Sequence, residues 1–281
     1  MGLIRYGAAL RALVAVKGHP YARDAFAALF ESIPELDAVL VEQPAAMYLL
    51  ESAAPFDLFV FYDMPGIDFA HRPPRYVPPP SWLPEAFAHL AERGAGMLFL
   101  HHAIAAWPTW DEYGEIVGGR FLYLPGRLAD RLVADSGYLH SASYTARVLR
   151  EHPVTAGLPP TFPLSDELYL YPVFEEAVLP LLAADFEFTP ERFHSAAAAV
   201  GAAPPQAPWR PDYGSRLLGW VHAWRGAPVV YLQPGDGPEI FADAHYRRLV
   251  ANAVRWLASA EARAFARDRG AGRIAPPPAI P

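Results

Sequence analysis

Residues 94–103 read GAGMLFLHHA. Four apolar residues, Met97 to Leu100, stand between glycines and two adjacent histidines, the pattern of a short buried strand that stops on a polar turn. Upstream, Trp82 to Arg93 has helical spacing, with Ser81 placed to cap its start and Gly94 its left-handed stop. Downstream, Thr109-Trp110-Asp111-Glu112 has the Thr-x-x-Glu form of a capping box and predicts a helix ending at Gly118-Gly119. A strand flanked in this way by two helices is the repeating unit of a parallel sheet.

The same alternation extends back to the beginning. An apolar run from Arg11 to Val16 ends in Lys17-Gly18-His19-Pro20, and Ala22 to Phe30 places Phe26, Leu29 and Phe30 at helical spacing. A strand at Ala38 to Val41, a short helix at Ala45 to Leu50 and a strand at Leu58 to Tyr62 complete a β-α-β-α-β order. From Arg120 to Trp224 the periodicity weakens: Tyr144 to Leu149 and Leu217 to Trp224 read as extended, and residues 186–216 as a loop-rich excursion. Regularity returns with a strand at Pro228 to Gln233. A closing helix, about Ala244 to Ala258, carries Tyr246, Leu249, Val250, Ala253 and Leu257 as one apolar stripe. The expected organisation is one α/β domain over residues 1–263 and a flexible tail rich in proline, glycine and arginine over 264–281.

Composition narrows the function. The chain has 281 residues, 53% of them apolar, enough for a full core in one large domain. A net charge of -7 without any lysine or arginine block argues against nucleic acid and anionic membranes as partners. The absence of a signal-like segment or spanning run points to the cytoplasm. Zero cysteines exclude disulfides, thiolate metal sites and a cysteine nucleophile. Dimerisation is common among enzymes of this size, which leaves a homodimer open.

Polar residues follow the ends of four predicted strands: His19, Asp63, His101-His102 and Asp236. In a parallel sheet those ends share one edge, where ligands of such folds bind. His101 is the sharpest feature, because the Gly94-x-Gly96 stretch, the strand and the turn toward a helix resemble an elbow that lifts a side chain above the sheet. With no cysteine and no Gly-x-Ser-x-Gly, an imidazole there suits acid–base work or metal ligation. The bland alternative is a turn whose imidazoles cap backbone groups. His19 and His140 have the similar alternative of satisfied loop histidines. Asp166, beside Glu167 at the start of an apolar-aromatic run, could be a cap or turn residue. Glu167 pairs with an imidazole if that segment folds over the elbow. Trp82, Trp107, Trp110, Tyr123, Tyr138, Tyr169, Tyr171 and Trp209 sit in loops or at element ends, where rings suit a sugar face or simply the core. Imidazoles and carboxylates also suit a divalent transition metal, with His19, His101 and His140 as candidate ligands, although no His-x-x-x-His spacing supports one.

Several stretches together resemble the ThuA-like family of trehalose-utilisation proteins: Val16-Lys17-Gly18-His19-Pro20, Phe61-Tyr62-Asp63-Met64-Pro65-Gly66, Leu98-Phe99-Leu100-His101-His102-Ala103, Gly118-Gly119-Arg120-Phe121, His152-Pro153-Val154-Thr155-Ala156-Gly157-Leu158-Pro159, Asp166-Glu167-Leu168-Tyr169 and Arg255-Trp256. The resemblance spans about Leu13 to Ala258. It implies a flavodoxin-like, class I glutamine amidotransferase-like three-layer sandwich with a mostly parallel central sheet, in which His101 takes the position of the amidotransferase cysteine. It implies a role in trehalose or keto-sugar metabolism, with Glu167 in the family's Asp-Glu-Leu-Tyr motif. The leading hypothesis makes His101 and Glu167 catalytic, with His19, Asp63, His102, Tyr138, His140, Asp166, Tyr169 and Asp236 binding a small carbohydrate. One departure stands out: many relatives have Gly-His where this chain has Gly235-Asp236. Two further readings are a non-catalytic sugar-binding or regulatory protein on an amidotransferase scaffold, and a metal-dependent hydrolase.

Overall fold

The computed structural model describes residues 8–52, 56–128, 131–205, 208–211 and 213–270. Its first half alternates as the apolar runs require: β1 (Leu10–Lys17), α1 (Arg23–Glu31), β2 (Leu36–Glu42), α2 (Ala45–Ser52) and β3 (Leu58–Asp63). Two short strands, β4 (Ile67–Asp68) and β5 (Arg75–Tyr76), pair with each other before α3 (Leu83–Glu92) and β6 (Gly96–Leu100). A 3-10 turn over His101–Ala105 leads to α4 (Asp111–Val117). The chain then turns antiparallel, through β7 (Gly126–Leu128), β8 (Arg131–Val133), β9 (Gly137–Val148), β10 (Thr161–Leu170) and β11 (Leu179–Asp185). Among its described residues, the excursion at 186–216 holds only β12 (His194–Ser195), α5 (Ala196–Ala199) and one 3-10 turn. Finally come β13 (Leu217–Trp224), β14 (Ala227–Leu232), α6 (Pro238–Ala242), α7 (Ala244–Leu257) and α8 (Ala260–Gly270).

One sheet runs β10-β9-β11-β13-β14-β6-β3-β1-β2. The core strands β14, β6, β3, β1 and β2 are parallel, while β13 to β10 are antiparallel. Read in chain order, the parallel part is the 2-1-3-4-5 arrangement of flavodoxin-like sheets. Alternate residues of each strand enter opposite layers. Val14, Val60, Leu98 and Val230 pack with α1, α6 and α7, whereas Leu13, Phe59, Met97 and Val229 pack with α2, α3 and α4. This is a three-layer sandwich. The apolar stripe expected on the closing helix is buried at all of its positions, and each large side chain there contributes about 1.5–3 kcal/mol by leaving water.

Three local expectations differ from what forms. Trp82 rather than Ser81 stands at the N-cap of α3, and Trp110 rather than Thr109 at that of α4, in both cases without a side-chain cap bond. Burial of Leu83, Tyr113 and Ile116 against the sheet sets those helix starts instead. Helix also continues to Gly270, past the start of the expected tail, because Ala262 and Ala266 are buried; residues 271–281 lie outside the described residues. Gly94 and Gly118 do take the left-handed stop conformation, at φ of 66° and 89°.

Candidate functional site

The elbow is real in the backbone. His101 follows β6 at φ 50°, a left-handed conformation that costs a non-glycine residue about 1–3 kcal/mol and persists only where neighbours enforce it. Two neighbours do so. The Tyr231 hydroxyl donates to the His101 carbonyl at 3.0 Å, and Gly235 lies so close that a Cβ on it would sit 3.1 Å from that of His101. The imidazole is 0% exposed.

Around this ring four segments meet. His101 Nδ1 lies 2.7 Å from the Gln233 carbonyl, an acceptor only, so Nδ1 carries a hydrogen and Nε2 is left facing the site. Nε2 is 3.2 Å from Glu167 Oε2 and 3.6 Å from Asp236 Oδ1. Tyr169 stacks on a face of the imidazole, ring centres 4.9 Å apart, with its hydroxyl 2.8 Å from Nε2. The other Glu167 oxygen, Oε1, meets His140 Nδ1 at 2.8 Å. Glu167 is brought here by an irregularity in the β10–β9 register between Asp166 and Leu168, and its backbone carbonyl accepts from Gln233 Nε2 at 2.8 Å. Asp166 accepts from the backbone N–H of Gly235 at 2.6 Å and of Asp236 at 3.2 Å, tying β10 to the loop after β14. It is a strand residue, neither a helix cap nor a turn.

Charges follow from this packing. Burial alone would lower the His101 pKa, but hydrogen bonds to Asp236 and Glu167 and the negative charge of Glu167 and Asp166 outweigh it and raise it to about 10. The hydrogen bond to His101 lowers Asp236, whereas burial raises Asp166 to about 6. The His101 imidazole is therefore cationic at neutral pH, set among three carboxyl groups.

The remaining predicted residues lie beside or beneath this cluster. His19 packs at a tilt against His102, ring centres 4.9 Å apart, gives Nδ1 to the Pro20 carbonyl at 2.9 Å, and has its pKa lowered by burial and by the His101 charge. His102 is buried, with Nε2 3.2 Å from the Tyr62 carbonyl and its pKa pushed well down by burial. Asp63 is only 3% exposed and takes the Gln43 side-chain amide, so it sits below the edge. Tyr138 packs edge-on to His140 at 4.9 Å and extends the site along β9. Trp107, Trp110 and Tyr171 are core residues. Of the three imidazoles named as metal ligands, only His101 belongs to the tight ligand cluster among the described residues, which it forms with Glu167 and Asp236. Gln233 and Tyr231 were not anticipated. Their one sequence signal is Gln233 itself, a polar side chain closing an otherwise apolar strand run.

No functionally curated protein matches the chain. Among solved structures it is similar to a ThuA-like protein from Parabacteroides merdae, with a TM-score of 0.59, 16% identity, and coverage of 89% of this chain and 90% of that one. A ThuA-like protein from Bacteroides uniformis gives a TM-score of 0.59 at 19% identity, covering 88% and 91%. A chain of PurLQS from Thermotoga maritima gives 0.51 at 12%, covering 88% and 99%. At such identities these likenesses show the shared fold, ThuA-like and class I glutamine amidotransferase-like. The model of the ThuA family, described as trehalose utilisation, matches residues 38–257, and with the elbow and sheet in agreement the chain belongs to the ThuA family.

Proposed function

We propose that the protein is a cytoplasmic enzyme acting on a sugar or keto-sugar derivative by general acid–base chemistry, with His101 as acid and base and Glu167 as its carboxylate partner. The observation that carries this reading is the seat of His101 Nε2, 3.2 Å from Glu167 and 3.6 Å from Asp236 at the end of a strained elbow. The bond from Nδ1 to Gln233 fixes the ring, so the only mobile proton is the one on the nitrogen that faces the site. Such an imidazolium can deliver its proton to a departing or carbonyl oxygen and recover it, while the carboxylates hold the ring in place. The family description of trehalose utilisation supports a sugar ligand. So do Tyr138 and the exposed, ring-flanked His140, which are suited to a hydroxylated ring face. His19 and Asp236 would complete the binding edge.

The test is turnover of trehalose and a panel of keto-sugars by wild type, Glu167→Gln and His101→Asn, an asparagine being tolerant of the left-handed backbone at that position. Turnover should fall at least about 10²-fold in both variants, the low end of the usual contribution of a positioned proton donor, with the thermal transition retained. Undiminished turnover by the folded His101→Asn protein would show the elbow assignment to be wrong. Saturable sugar binding by wild type without product would make the protein a binding module on an amidotransferase scaffold.

A further inference from the structure

Glu167 Oε2 and Asp236 Oδ1 converge on one imidazole nitrogen, His101 Nε2, at 3.2 and 3.6 Å, and the three donor atoms frame a single seat. We propose that a single divalent transition-metal ion takes the same seat, bound by His101 Nε2, Glu167 and Asp236. The inference goes beyond the acid–base reading, because metal and proton compete for one nitrogen and the loaded protein is a second state of the site.

The geometry supports it at three levels. First, the donor atoms are the right distance apart. Metal–ligand bonds of about 2.1 Å put neighbouring donors roughly 3–4 Å from one another, and Nε2 is already 3.2 Å from Glu167 and 3.6 Å from Asp236. All three donors lie within 4.8 Å of one another, and Asp236, whose side chain is 32% exposed, has room to close the widest gap. Second, the outer contacts are those that prepare ligands. His101 gives Nδ1–H to a backbone carbonyl, which leaves Nε2 as the coordinating nitrogen, and Glu167 has one oxygen held by His140 at 2.8 Å so that the other is presented. Third, one nitrogen and two carboxylate oxygens, with no thiolate in the chain, suit manganese, iron or zinc. Three protein ligands leave positions open for water or vicinal oxygens of a sugar. Two other close imidazole–carboxylate pairs among the described residues, His71 with Asp68 and His245 with Asp243, are partly exposed and each involve one carboxylate, so they provide internal controls.

The probe is manganese(II) alone, added to chelator-stripped full-length protein, with free ion read from its electron paramagnetic resonance signal. One equivalent should bind per chain. Affinity should fall at least tenfold in Asp236→Asn and in Glu167→Gln, and by about 10–100-fold in His140→Ala, the usual effect of removing a group that orients a ligand. His71→Ala should bind like wild type. Circular dichroism and a cooperative thermal transition establish that each variant is folded. Absence of a one-equivalent phase, or equal binding by wild type and the Asp236→Asn and Glu167→Gln variants, overturns the metal site. The acid–base reading is judged separately, by turnover in excess chelator.

Discussion

At the scale of single residues, Asp63 is the group whose position has the clearest cost. It ends β3 among apolar side chains with the Gln43 amide as its hydrogen-bond donor, and burial raises its pKa to about 7 although that hydrogen bond opposes the shift. The sign follows from linkage. Between the unfolded value near 3.8 and about 7 the folded protein keeps a proton that the unfolded chain releases, so stability falls as pH rises through that window. A rise from 3.8 to about 7 corresponds to about 4 kcal/mol as an upper figure. Urea unfolding of wild type and Asp63→Asn at pH 4.5 and pH 8 should therefore show the stability difference between the two proteins changing with pH, wild type losing stability relative to the variant at the higher pH. The same difference between the two proteins at both pH values would place the proton elsewhere. Nothing around Asp63 in sequence announces this: a carboxylate after an apolar strand reads as a ligand at a sheet edge, and only the packing of β3 between β1 and β6 shows it to be enclosed.

At the scale of elements, the parallel half was legible because its strands are buried on both faces and appear as unbroken apolar runs, each followed by a helix of matching period. The antiparallel half was not. β10, TFPLSDELYL, buries Phe162, Leu164 and Asp166 in alternation before all later positions become buried. The period of two is present, but one of its inward residues is an aspartate and a proline interrupts its outward set. Its irregular register against β9, which carries Glu167 to the elbow, is a product of pairing over a long stretch of chain and leaves no local trace. Asp166 is the tie between β10 and the segment after β14, and its removal leaves the Gly235 and Asp236 N–H groups without their acceptor. Unpaired buried donors cost about 1–3 kcal/mol each. Asp166→Ala should thus lower the urea midpoint by an amount corresponding to about 2–3 kcal/mol and weaken manganese binding through the freed Asp236. A variant as stable as wild type would mean that those amides find other partners.

At the scale of the whole molecule, fold and site are assembled from both halves of the chain. His101 comes from the first, Glu167 and Asp236 from the second, and β14 inserts between β6 and β13, pairing Val229 with Met97. The helix α7, which covers β6 as well as β14, also comes from the second half. A chain cut after Gly118 consequently leaves β6 as an open edge and exposes the apolar face that α7 buries, including the side chains around Val60 and Leu98. Residues 1–118 expressed alone should show no cooperative unfolding and should bind dyes that report exposed apolar surface. Co-expression with residues 119–281 should restore a cooperative transition, because non-local pairing of β6 with β14 is what either piece lacks. A cooperative transition in the isolated first piece would mean that its four parallel strands and four helices form a core without α7, and that the site was built onto a scaffold already stable by itself.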